Sequence, residues 1–111
     1  MTETASTTWQ TVCNTDDIGN FLGVRALVEN QQIAIFRVNE KFYAIDAIDP
    51  FTNAAVLARG IVGDIKGQIV VASPIYKQHF NLVTGQCLED ENVSVATYIA
   101  RVQDGQVQLA I

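Results

Sequence analysis

Seven runs of five to seven residues, rich in Val, Ile, Phe and Tyr and separated by turn residues, constrain this chain more than any other feature. They are Val24 to Val28, Gln32 to Val38, Lys41 to Ile45, Gln68 to Ala72, Gln78 to Leu82, Tyr98 to Gln103 and Gln106 to Ile111. Runs this short and this rich in β-branched and aromatic residues read as strands. Asn39-Glu40 and Asp104-Gly105 sit between neighbouring runs as hairpin turns, the second the stronger because Asp-Gly accepts the positive φ angles of a type I′ turn. In the last run Val107, Leu109 and Ile111 alternate with Gln106 and Gln108, the pattern of a strand with one buried and one solvated face. A single segment, Asn53 to Gly60, has helical character, one or two turns with Asn53 as cap and Gly60 as stop. The expectation is an all-β fold, an antiparallel β-sandwich or partly open barrel with at most one short helix. Residues 1–8 are small and polar and read as a disordered tail, with a domain from Trp9 to Ile111.

Composition narrows the partners. At 111 residues the chain makes one domain and buries roughly two-thirds of its unfolded surface, enough for a core without staples. A net charge of −5, with seven basic residues, argues against nucleic acid or an anionic membrane, both of which are bound through clustered Lys and Arg. No apolar run approaches the ~18 residues of a membrane span, and Met1-Thr2-Glu3-Thr4 lacks the basic and apolar regions of a secretory signal, so a cytoplasmic location is expected. Cys13 and Cys87 read as small buried or half-buried apolar side chains rather than a disulfide. His79, the single histidine, makes neither a zinc site nor a triad alone and reads as a strand-surface or turn residue. Glu89-Asp90-Glu91 reads as a solvated turn.

Catalytic patterns are missing. Asp16 and Asp17 are adjacent rather than opposed across a cleft, there is no Gly-rich phosphate loop, and no Ser, His and Asp set suggests a nucleophile. The chain by itself is expected to be non-catalytic.

Two loops carry the functional argument. Asp49-Pro50-Phe51 follows one strand, and Ser73-Pro74-Ile75-Tyr76 follows Gly67-Gln68-Ile69-Val70-Val71-Ala72. This resembles the Rieske pattern, in which Cys-x-His and Cys-x-x-His ligate a [2Fe–2S] cluster. Asp49 and Ser73 stand where the cysteines would be, and Phe51 and Tyr76 where the histidines would be. Pro74, the aromatic Phe80 and the turn at Thr84-Gly85 keep the family frame, with 21 residues between Phe51 and Ser73. One branch of the Rieske-like family has these degenerate positions, the small subunits of NAD(P)H-dependent assimilatory nitrite reductase. The chain is similar to them from Trp9 to Leu109 through Gln32-Ile33-Ala34-Ile35-Phe36-Arg37, Ile48-Asp49-Pro50-Phe51, Val56-Leu57-Ala58-Arg59-Gly60, Val71-Ala72-Ser73-Pro74 and Cys87-Leu88-Glu89-Asp90-Glu91.

The resemblance implies a Rieske-like fold with two apical loops and no cluster in this chain. It further implies a cytoplasmic accessory subunit that binds the large catalytic subunit. That subunit would carry FAD, siroheme and a [4Fe–4S] cluster and reduce nitrite to ammonia in nitrate assimilation. The alternative is a Rieske-like interaction module of another oxidoreductase; a free-standing electron-transfer ferredoxin fails on ligand chemistry. In place of a cluster, Phe51 and Tyr76 are expected to pack the loops together as an aromatic pair. Asp49 either bonds to Ser73 or accepts from amides in its own turn, the local turn being the favoured arrangement. Phe51, Ile75, Tyr76 and Lys77 are the candidate partner-binding residues, with Phe51 and Tyr76 as internal filler the competing reading.

Overall fold

The computed structural model describes residues 8–75 and 77–111, so all but Thr8 of the tail expected over 1–8, and the expected partnership of Tyr76, lie outside the described residues. Among the described residues ten strands form three antiparallel sheets. The first sheet has the order β1 (Trp9–Asn14), β10 (Gln106–Ala110), β9 (Ala100–Gln103). The second has β2 (Gly23–Val28), β3 (Gln31–Val38), β4 (Lys41–Asp46) and β8 (Thr97–Tyr98). The third has β5 (Ile61–Ile65), β6 (Gln68–Ala72) and β7 (His79–Asn81).

Side chains along β3 show how these layers stack. Successive residues of a strand point to opposite faces. Ile33 and Ile35 join Val107 and Leu109 of β10 in one buried cluster, while Ala34, Phe36 and Val38 join Val71 of β6 and Phe80 of β7 in another. Both faces of β3 are therefore buried, and its sheet is the middle layer. This explains why Gln31–Val38 reads as a continuous apolar run whereas β10 alternates. Two-residue turns join β2 to β3, β3 to β4, β5 to β6 and β9 to β10. Asp104 and Gly105 take φ of 55° and 77°, and the same left-handed pair recurs at Glu29-Asn30 and Lys66-Gly67.

Several expectations need correction. The run Tyr98 to Gln103 is two strands: β8 pairs with β4, β9 pairs with β10, and exposed Ile99 is the residue at which the chain changes sheets. Strands β1 and β5 carry no clear apolar alternation; both lie at sheet edges, and a register shift between Thr11 and Cys13 breaks the period of β1. No α-helix occurs among the described residues. Asn53 to Gly60 holds a single 3-10 turn at Leu57–Arg59, preceded by Val56, and Asn53 is a left-handed residue (φ 62°) of the preceding loop rather than a cap. Gly60 does stop the turn, with φ of −71°, and is needed for space, because a Cβ there would lie 2.4 Å from the Ala72 carbonyl oxygen. A second 3-10 turn spans Thr15–Asp17. Among the described residues no helix is long and apolar enough to cross a membrane.

Candidate functional site

The loop after β4 and the loop between β6 and β7 are built to one plan. In the first, Asp49 is followed by exposed Pro50, the Asn53 amide donates to the Asp49 carbonyl (2.7 Å), and the Asp49 amide donates to the Ala54 carbonyl (2.9 Å). In the second, Ser73 is followed by exposed Pro74, the Lys77 amide donates to the Ser73 carbonyl (3.1 Å), and the Ser73 amide donates to the Gln78 carbonyl (2.8 Å). The residue four places on is left-handed in both, Asn53 at 62° and Lys77 at 66°. Proline supplies the fixed φ of the second position in each turn. The side chain of the first residue also caps its own turn, since the Phe51 amide donates to Asp49 Oδ1 (2.8 Å) and the Ile75 amide to Ser73 Oγ (3.4 Å).

The two turns meet at their first residues. Asp49 and Ser73 are the buried polar side chains among the described residues, at 0% and 1% exposure. The Ser73 hydroxyl donates to Asp49 Oδ2 at 2.5 Å. Both arrangements open to the sequence are therefore realised, one on each carboxylate oxygen. A buried carboxylate must have its acceptors filled. Here one oxygen takes a donor from its own loop and the other takes a donor from the neighbouring loop.

Phe51 is half-buried, and its ring meets that of Phe80, with centroids 6.2 Å apart and planes inclined at 46°. The ring partner of Phe51 found among the described residues is thus on β7, at the base of the second loop. Ile75 is 44% exposed and Lys77 is exposed, so these two candidates face solvent while Phe51 faces the core. Exposed Ile61, which opens β5 opposite Ala72, stands at this same end of the molecule.

Glu89 was legible only as part of an acidic surface run. In the structure it ties down the exit of the second loop: the His79 amide donates to Oε1 at 2.7 Å, and His79 Nδ1 lies 2.6 Å from Oε2. Partial burial pushes the Glu89 carboxyl up, but the bonds from the His79 amide and ring, with the charge of that ring, outweigh it and hold the group below its ordinary value. Burial pushes the Cys87 thiol up, and burial followed by the nearby Asp17 does the same for Cys13. Both cysteines are free and neither is placed as a thiolate nucleophile. Among the described residues no three His, Cys, Asp or Glu side chains are grouped to hold a metal ion.

The Rieske-like [2Fe–2S] domain family matches residues 8–110. A nitrite reductase (NADH) small subunit from Salmonella typhimurium is 50% identical over 103 residues, covering 91% of this chain and 95% of that protein. The chain belongs to the nitrite reductase small subunits of the Rieske-like family. In three dimensions it is similar to the nitrite reductase [NAD(P)H] small subunit from Erwinia carotovora, with 54% identity and a TM-score of 0.80 over 93% of this chain and 81% of that one. A third relative is a much longer protein, the nitrite reductase [NAD(P)H] large subunit of Klebsiella oxytoca. It is 36% identical over 99 residues, which are 89% of this chain and 10% of that one. A domain like this small subunit is therefore part of a large-subunit chain in that organism.

Proposed function

We propose that the chain is the accessory subunit of a cytoplasmic NAD(P)H-dependent nitrite reductase, binds the large catalytic subunit and holds no iron–sulfur cluster of its own. The carrying observation is the Asp49–Ser73 hydrogen bond at the positions where a Rieske cluster takes its thiolates. That cluster needs two thiolates and two imidazoles. A carboxylate and a hydroxyl already engaged with each other do not fit it, and Phe51 offers no donor atom. The likeness to a segment of the Klebsiella oxytoca large subunit supports the partner, because a domain covalently joined in one organism and separate in another has the same neighbour to pack against. The FAD, siroheme and [4Fe–4S] cluster of nitrite reduction belong in this reading to the large subunit. The small subunit contributes by binding one arrangement of that subunit more tightly than others. Its docking face includes Ile75, Lys77 and the outer edge of Phe51, together with Tyr76.

The test is recovery of the tagged chain from cells grown on nitrate, with iron analysis of the chain purified alone. Co-recovery of a siroheme-coloured large protein active in NAD(P)H-dependent nitrite reduction, with no stoichiometric iron in the small chain, is the expected result. Recovery of the small chain alone, with nitrite reductase left in the unbound fraction, would overturn the partner and favour service to another oxidoreductase. Two irons per isolated chain would overturn the cluster-free reading.

A further inference from the structure

The hydrogen bonds around Asp49 and Ser73 share one property. Three of the four proposed docking residues are described, and the backbone amide of each is bonded to one member of this pair: Phe51 to Asp49 Oδ1, Ile75 to Ser73 Oγ and Lys77 to the Ser73 carbonyl. The members are bonded to each other through Ser73 Oγ and Asp49 Oδ2, across 24 positions of sequence. We infer that the Asp49–Ser73 bond is a positioning latch, a single buried node that fixes the separation and mutual orientation of the two loops so that they present one preformed docking face to the large subunit. This deepens the accessory-subunit reading and rests on it.

The physical case is one of preorganisation. The turns are short, and each is closed by amides that donate to Asp49 or Ser73, so each keeps its shape only while that pair stays in place. Their relative placement is a separate degree of freedom. Apolar packing of Phe51 on Phe80 resists separation but is weakly directional, whereas a buried hydroxyl-to-carboxylate bond has preferred length and angle and is not exchanged with water. A face already in its bound geometry loses less conformational entropy on association.

Two measurements on the full chain test this. Amide hydrogen exchange on the wild-type chain, followed by NMR, should give Phe51, Ile75 and Lys77 protection factors within about tenfold of one another although they lie in different loops, since one opening event releases all three. Protection factors scattered over several decades would overturn the latch without any substitution. Ser73→Ala should then speed exchange at these three amides by about tenfold or more while Ile35 and Val71 stay protected, and should weaken calorimetric affinity for the purified large subunit by roughly tenfold. Asp49→Asn leaves one acceptor oxygen for two donors, the Phe51 amide and the Ser73 hydroxyl, so it should weaken affinity in the same direction as Ser73→Ala. Wild-type affinity in Ser73→Ala with exchange accelerated would overturn the positioning role, and wild-type affinity in Asp49→Asn would likewise overturn it. A wild-type chain that fails to bind the large subunit would overturn the accessory-subunit reading itself, while exchange on the isolated chain still decides the latch.

Discussion

The two apical loops share one plan of backbone hydrogen bonds among the described residues and turn their third residues opposite ways. Each begins with a buried polar residue, continues with an exposed proline and closes four residues on with a left-handed residue. Two positions after the first residue, however, the first loop turns Phe51 inward onto Phe80, and the second turns Ile75 out to solvent. One turn packs its third residue on the core and its copy leaves the third residue exposed. The difference teaches that in this fold the turn type does not decide what a loop does; the side chain at its third position does, according to whether an apolar surface lies beneath it.

The comparison breaks most decisively at the shared base. Phe80 is fully buried, so Phe80→Ala should cost about 3–5 kcal/mol in urea unfolding. It should also loosen Phe51 more than Ile75 in amide exchange; equal loosening of both would contradict the inward packing of Phe51. The next contrast is at the third positions themselves. Phe51→Ala, removing a half-buried ring, should cost about 1–3 kcal/mol. Ile75→Ala should stay within about 0.5 kcal/mol and act on large-subunit affinity instead. Equal stability losses would mean that both loops anchor.

A smaller effect separates the closing residues. The left-handed region is unfavourable for lysine but tolerable for asparagine. Lys77→Gly should therefore stabilise the chain by up to about 1 kcal/mol, while Asn53→Gly changes it by only a few tenths; a thermal melt showing the reverse order would undo the parallel between the turns.

The smallest effect is at the exit of the second loop. The Glu89 carboxyl is held below its ordinary value of 4.5 in the folded chain, so its contribution to stability is present above that value and is lost as pH falls through the lowered native one. Glu89→Gln should lower the melting temperature slightly at neutral pH, and the difference from wild type should close as the pH falls through the lowered native value. A gap that persists at low pH would show that the residue acts through packing rather than charge.

Local chemistry made much of this legible in the sequence. The strands β2, β3, β4, β6, β7 and β10 follow from apolar patterning, and the turn at Asp104-Gly105 from the residues that tolerate positive φ. The edge strands β1 and β5 did not, because Trp9–Asn14 is largely polar and Ile61–Ile65 contains Gly63 and Asp64; hydrogen bonding to a neighbour makes them strands. The repeated plan of the loops left one trace, a polar residue before proline at Asp49-Pro50 and again at Ser73-Pro74. The partners Phe80 for Phe51 and Glu89 for His79 left none.

What the sequence determined by itself was most of the apolar strands, the polar residue before proline that opens each of the two loops and the membership in a family, since these depend on residue type and order along the chain. The tertiary structure alone decided that Asp49 serves both loops at once, that Phe51 is turned in while Ile75 is turned out, and that Ile99 carries the chain from one sheet to another. Each of these is a choice among partners far apart in sequence. Hydrogen bonds and ring contacts act over a few ångströms, so only the folded path of the backbone selects which of those partners arrives within reach.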